Sequence, residues 1–214
     1  MANGVDCDQP ATGAVLGCLA ASGYRFVGRY LDNGTNGGRC LTAAEVGVFR
    51  QHNQANPGRT VGIVPIWSSG TSNQPCGWTA DNGSRDGWWC ALQLQGLTLP
   101  TGTGVTIYVD TEVTGALTGG EIDALSQYLD AYQRVLGGRW RLGLYGQGGA
   151  WPSHMLQSVC DAGVWYAALP FWATNAQPTC GAAIIQRTGQ AILCGYTTDA
   201  GETSVPAFGV WTPL

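Results

Sequence analysis

The chain has 214 residues, a net charge of -4 and a pI near 4.9, which argues against nucleic acid as a partner, since that needs a basic footprint. Apolar residues make up 44% and charged residues only 11%, so there is material for a core, and the composition is not that of a charged, aromatic-poor disordered segment. No apolar run is long enough to span a membrane, and the length suits a single domain covering residues 1–214.

In chain order, Gly4–Asp6 is a short apolar stretch ending on an acid and reads as a first strand. Ala14–Ser22 reads as a helix, and Arg25–Tyr30 as the second strand. Thr42–His52 reads as a helix that opens on Thr42-Ala43-Ala44-Glu45, a pattern in which hydroxyl and carboxylate each take an orphan amide. Val61–Trp67 follows as a strand and Trp88–Leu94 as a short helix. Val105–Asp110 is a β-branched, apolar strand that drives into Asp110-Thr111-Glu112. Thr118-Gly119-Gly120-Glu121 repeats the capping pattern ahead of Ile122, Leu125, Leu129, Tyr132 and Leu136, which share one helical face. Arg141–Tyr145 is the next strand, and Pro152–Asp161 a short helix with proline in its first turn. Val164–Ala168, Ala183–Arg187 and a piece near Ala207–Trp211 complete the strands.

Strands interleaved with helices imply parallel pairing through right-handed crossovers. About eight such units predict an α/β fold, a (β/α)8 TIM-type barrel with the last helix weak or missing. A doubly wound open sheet is the alternative, but no glycine-rich phosphate or dinucleotide loop follows a strand.

In such a barrel the strand ends converge on one face, where sites are built. The residues there are Asp6, Arg29 with Tyr30, Trp67, Asp110 with Glu112, Tyr145 with Gln147, Trp165 or Trp172, and Gln186. Asp110 and Glu112 share a face, about 6.5 to 7 Å apart along an extended backbone. Their repulsion raises one pKa, and a raised carboxyl beside an ordinary one is the equipment of acid-catalysed glycoside cleavage. Acids, amides and aromatic rings together suit sugar hydroxyls and sugar C–H faces, so carbohydrate is the expected ligand. The plainer reading has the aromatics filling barrel layers, Arg29 neutralising Asp6 or Asp32, and one acid capping the next helix. Asp81, Asn82 and Asp86 lack the spacing of a calcium loop and read as solvated loop residues. With two His and no Cys-x-x-Cys pair, no metal or cofactor is expected.

Eight Cys point to an oxidising compartment and up to four disulfides, with Cys76–Cys90 and Cys180–Cys194 as local candidate pairs. Met1–Gly4 does not read as a signal peptide, so a secreted protein would have lost its leader before this sequence begins. The expectation is a secreted monomer.

Taken together, Gly4-Val5-Asp6-Cys7-Asp8-Gln9-Pro10, Gly23–Leu31, Leu41–Glu45, Gly62–Trp67, Ile107–Asp110 and Gly143–Gly146 resemble the DUF1906-type (Rv2525c-like) glycoside hydrolase-like barrel proteins. The match is collinear and nearly end to end. That group's fold is similar to the family 25 lysozymes, which carry an Asp ending the first strand and an Asp-x-Glu ending the fourth. The resemblance implies Glu112 as general acid, Asp110 assisting the reaction centre, and Asp6 holding a sugar hydroxyl or tuning Asp110. It also implies a further acid on the last strand; Asp199 is the nearest, but its Gly- and Thr-rich setting does not read as a strand. A chitinase-like Asp-x-Asp-x-Glu series is broken by Tyr108. The leading expectation is a secreted hydrolase of a polysaccharide such as a microbial cell-wall glycan. The alternatives are a catalytically silent glycan-binding barrel and a disulfide-stabilised module with an incidental pocket.

Overall fold

The computed structural model describes residues 2–31, 39–99, 101, 104–113, 115–147, 155–162, 171–174, 178–203 and 210–214, the side chains of 187–191 excepted. Eight strands close into a barrel in sequence order. β1 (Asn3–Asp6), β2 (Tyr24–Leu31), β3 (Gly62–Trp67), β4 (Thr106–Asp110), β5 (Arg141–Gln147), β6 (Phe171–Thr174) and β7 (Ile184–Leu193) pair in parallel. β8 (Tyr196–Thr203) runs antiparallel to both β7 and β1 and closes the ring. Among the described residues five α-helices accompany the strands: α1 (Gly13–Ala21), α2 (Ala43–Ala55), α3 (Ala80–Gly96), α4 (Gly119–Leu136) and α5 (Met155–Ala162). No helix among the described residues is long and apolar enough to cross a membrane.

Side-chain alternation sorts each strand into an outward and an inward set. Val27 and Leu31 of β2, Ile63 and Trp67 of β3, and Ile107 and Val109 of β4 pack into the layer shared with the helices. Phe26, Val64, Ile66, Tyr108, Tyr145, Trp172 and Ile184 fill the interior. Trp172 is the hub there, with Phe26, Tyr108 and Tyr145 edge-on to it at centroid distances of 6.0, 5.7 and 5.4 Å. Gly28 lies against this ring; a Cβ there would sit 2.5 Å from Trp172.

Each of the first four helices opens on a threonine whose hydroxyl accepts an orphan amide: Thr12 from Val15, Thr42 from Glu45, Thr79 from Asn82 and Thr118 from Glu121. The reciprocal capping box forms at Thr118 with Glu121. At Thr42 only half of it forms, because the Glu45 carboxylate is drawn to Arg29 and the Ala11 amide instead.

Helix α3 runs well beyond the Trp88–Leu94 segment expected for it. Gly83 and Gly87 lower its intrinsic propensity, but α4 needs them: a Cβ on Gly83 would strike the Tyr128 carbonyl, and one on Gly87 would lie 2.9 Å from that of Tyr132. Gly83→Ala therefore sets a propensity gain of about 1 kcal/mol against overpacking of roughly 1–3 kcal/mol. A lower melting temperature is the expected outcome; an unchanged or higher one would show that α3 and α4 do not approach this closely.

The end of the chain departs from expectation. The sixth strand is Phe171–Thr174; the expected Val164–Ala168 lies outside the described residues. The eighth is the Gly- and Thr-rich Tyr196–Thr203, reached from β7 by a tight turn in which Cys194 and Gly195 both take positive φ, the geometry of a two-residue hairpin. Of the expected Ala207–Trp211 piece, residues 207–209 lie outside the described residues, and Trp211 forms an isolated antiparallel bridge to Ile63. The disulfides are Cys18–Cys194 and Cys160–Cys180, which overturns the Cys180–Cys194 pairing. Cys76 and Cys90 are not joined either; Cys76 is exposed and Cys90 is buried.

Candidate active site

At the end of β4 the inward-facing position after Tyr108 is Asp110. Its Oδ2 accepts from Ser68 Oγ at 3.0 Å and its Oδ1 from the Glu112 amide at 3.1 Å, so the carboxylate shapes the turn that carries Glu112. Thr111 extends the β4–β5 pairing past the strand, its amide and hydroxyl both donating to the Tyr145 carbonyl. Glu112 is exposed at this rim, and its Oε1 accepts from Thr174 Oγ1 at 3.1 Å. Burial pushes the Asp110 carboxyl up. Glu112 is also raised, first by partial burial and then by the Asp110 charge, with the Thr174 bond acting against both and Asp199 adding to them.

Asp6 arrives from β1, buried, its Oδ2 accepting from Tyr30 at 2.9 Å and Tyr145 at 3.1 Å. Its Oδ1 is buried without a hydrogen-bond partner. Burial outweighs the two phenol donors and lifts its pKa to about 7. Directly across the β1–β8 ladder, Asp6 is paired with Asp199, whose carboxyl burial also raises. Asp199 thus lies on the last strand after all. Its strand is recognisable through its ladder to β1 and β7, not through an apolar pattern.

A cleft of about 470 Å³ opens beside these acids, lined by Asp6, Cys7, Asp8, Gln9, Tyr30, Arg39, Ser68, Thr197 and Asp199. Arg39 and Asp8 form an exposed ion pair at 3.5 Å within its lining, a contact of little energetic weight in water. Among the described residues no group of three or more His, Cys, Asp and Glu is arranged to hold a metal.

Tyr30 and Tyr145 reach the acid cluster as expected, and Gln147 ends β5 partly exposed on the inward-facing parity. Gln186 lies just below, its Oε1 accepting from Tyr145 Oη at 3.3 Å and from Trp172 Nε1 at 3.1 Å. Trp172 is fully buried as the interior hub, so it supports Tyr145 and Gln186 from beneath and offers no face to a ligand. Trp67 and Arg29 have the wrong strand parity. Trp67 is fully buried on the outer layer against Tyr132. Arg29, equally buried, gives Nε to Glu45 at 2.7 Å, one terminal nitrogen to the Cys7 carbonyl and the other to Glu45 and the Arg39 carbonyl. It neutralises Glu45 and not Asp6, Asp32 lying outside the described residues, and it locks the β1 and β2 loops behind the cleft. Trp165 lies outside the described residues. Ser68 and Thr174 escaped the sequence reading because single hydroxyls after strands carry no distinguishing pattern. Asp86, expected in a solvated loop, is fully buried within α3.

A pH-dependent stability follows from Asp6. Its folded pKa is raised from 3.8 to about 7, so the native state holds the proton more tightly than the unfolded chain. Stability from this group is therefore lost as pH rises from about 4 to about 7, roughly 4 kcal/mol at most. Asp6→Asn keeps a neutral acceptor for the two phenols, and its melting temperature should exceed that of the parent above pH 7 while matching it near pH 4. An equal difference at both pH values would mean that Asp6 is not held protonated by burial.

Residues 17–195 match the family described as Rv2525c-like, glycoside hydrolase-like domain. No curated protein matches the chain at a significant level. Among solved structures, an uncharacterized protein of B. stearothermophilus superposes with a TM-score of 0.69 at 19% identity, covering 99% of this chain and 100% of that one. A muramidase from Acremonium alcalophilum gives 0.59 at 17% identity, covering 97% and 95%. The catalytic domain of endolysin ply40 from bacteriophage P40 of Listeria monocytogenes gives 0.58 at 14%, again covering 97% and 95%. At these identities the likeness is one of fold, whereas the family match spans most of the sequence. The chain belongs to the Rv2525c-like, glycoside hydrolase-like domain family.

Proposed function

We propose that the protein is a secreted glycoside hydrolase of a polysaccharide such as a microbial cell-wall glycan, working at the end of β4. The observation that carries this reading is the position of Glu112: an exposed carboxyl just past β4, raised by partial burial and by Asp110, and within electrostatic reach of Asp199, which lines the cleft together with Asp6. A carboxyl whose pKa is raised keeps its proton to higher pH than an ordinary glutamate and can donate it to a leaving glycosidic oxygen. Asp110, fixed by Ser68 and by the Glu112 amide, would stabilise positive charge on the sugar or orient an N-acetyl group. Asp6 and Asp199 would take sugar hydroxyls on the opposite side, with Tyr30, Tyr145 and Gln147 completing the polar wall.

The muramidase and endolysin neighbours support a glycan as substrate, and the two disulfides support an oxidising compartment. The test is release of reducing ends from a panel of purified glycans by the parent and by Asp110→Asn. Release by the parent, reduced at least tenfold in the variant, is expected. If the parent releases nothing while both proteins bind one glycan equally, the silent binding barrel is the correct reading.

A further inference from the structure

Helix α3 carries a buried acid that the proposed chemistry does not use. Asp86 is fully buried, and its Oδ2 accepts three hydroxyls: Ser69 at 2.7 Å, Thr71 at 2.7 Å and Tyr128 of α4 at 2.8 Å. Two of these belong to the loop between β3 and α3, the loop that begins with Ser68. The loop is otherwise closed on itself. Ser69 Oγ accepts from the amides of Thr71 and Ser72, Ser72 Oγ accepts from the Ser69 amide, and Trp78 Nε1 donates to the Ser72 carbonyl at 2.7 Å. At its start the Ser68 amide is tied to the Leu31 carbonyl, and the Ser68 hydroxyl reaches Asp110. The glycines of α3 make this possible, because only at that close helix–helix approach does Tyr128 meet Asp86.

We propose that Asp86 is a positioning residue: by gathering Ser69 and Thr71 it fixes the β3–α3 loop so that Ser68 points its hydroxyl at Asp110. All three hydroxyls fall on Oδ2, while Oδ1 is buried without a hydrogen bond and lies 3.8 Å from Arg85 Nε, so this buried carboxyl is an expensive way to stabilise a loop. What it provides here is a rigid support for a donor to the site carboxylate. A donor to the ionised form favours that form, so Ser68 holds Asp110 below the value that burial alone would impose. The titratable groups facing Asp110 are Asp6 of β1, Tyr30 of β2, Glu112 after β4 and Tyr145 of β5, with Asp199 of β8 acting on Asp6 and Glu112, and none of them is substituted in the Asp86, Ser68, Tyr128 or loop variants below. The catalytic meaning of the device rests on the role proposed for Asp110, but the device itself is measurable without substrate.

The experiment is a carboxyl-carbon NMR titration of Asp110, its resonance identified by its loss in Asp110→Asn. Asp86→Asn and Ser68→Ala should each raise the Asp110 midpoint by about half to one pH unit, and the double variant should raise it no further. Tyr128→Phe removes a donor from the same carboxylate without touching the loop; it should lower the melting temperature and leave the midpoint unmoved. If Asp86→Asn does not fold, Ser69→Ala with Thr71→Val removes the loop's half of the contact and should give the same shift. An Asp110 midpoint unmoved in a folded Asp86 or loop variant overturns the proposal, as does one unmoved by Ser68→Ala. Neither result bears on whether the protein cleaves a glycan.

Discussion

Glu112→Gln should lower glycan cleavage by about a thousandfold while leaving the melting temperature within roughly a degree of the parent. A positioned general acid contributes about 10²–10⁴ in rate. The stability expectation rests on different grounds, since Glu112 is exposed and makes one described side-chain hydrogen bond, from Thr174. Losing an exposed bond of that kind changes stability little. The pH profile supplies a second signature. Because burial and the Asp110 charge raise Glu112, the parent's rate should fall on the alkaline side with a midpoint above the ordinary glutamate range. Glu112→Gln should remove that limb from whatever activity remains. A variant that keeps the parent's rate would assign the acid elsewhere, with Asp6 the next carboxyl to examine because burial lifts its pKa to about 7.

The largest stability effect should come from Cys18→Ser combined with Cys194→Ser. The bond joins positions 176 residues apart, and closing so long a loop restricts the unfolded chain strongly, by about 5 kcal/mol. For a chain of this size that corresponds to a melting temperature lower by roughly 10 °C or more. The pair Cys160–Cys180 spans only 20 residues, and its double serine variant should lose less, about 3 kcal/mol. The longer bond also bears on the site. Cys194 forms the β7–β8 turn, and Asp199 follows it on β8, opposite Asp6. Loss of the bond should therefore weaken glycan binding as well as stability, whereas loss of Cys160–Cys180 should affect stability first. Thermal melts under oxidising conditions, with glycan affinity measured in parallel, decide this; a larger loss from the Cys160–Cys180 variant would contradict it.

How much of this was readable beforehand depended on the kind of force that holds each element. Strands β1 to β5 and helices α1, α2 and α4 are set by apolar alternation and threonine caps, which are local properties, and they fall close to where the sequence placed them. Asp6, Asp110 and Glu112 follow directly, because strand ends inherit the position of their strands. The errors at Arg29 and Trp67 are errors of parity. Both stand at the end of a strand, but Arg29 alternates with the inward Tyr30, and Trp67 pairs across β3–β4 with the outward Val109. Knowing that Tyr30 faces in would have turned Arg29 outward. The β7–β8 hairpin was illegible for a different reason: Tyr196–Thr203 has no apolar stripe and is held by ladder hydrogen bonds on both edges and by a covalent bond to α1. For the same reason Asp199, the nearest candidate for the acid of the last strand, did not read as a strand residue. Asp86 was missed because its burial arises from three separate elements meeting, which no local pattern encodes.

The measurement that tests the central claim most directly is a crystal structure of the Glu112→Gln protein with an oligosaccharide of the glycan that the parent cleaves. The account predicts a sugar chain across the cleft with its scissile oxygen about 3 Å from the side chain at position 112, Asp110 beneath the adjoining ring, and Asp6 or Asp199 on a hydroxyl. A chain seated with no glycosidic oxygen near position 112, or bound away from the β4 end altogether, would contradict it.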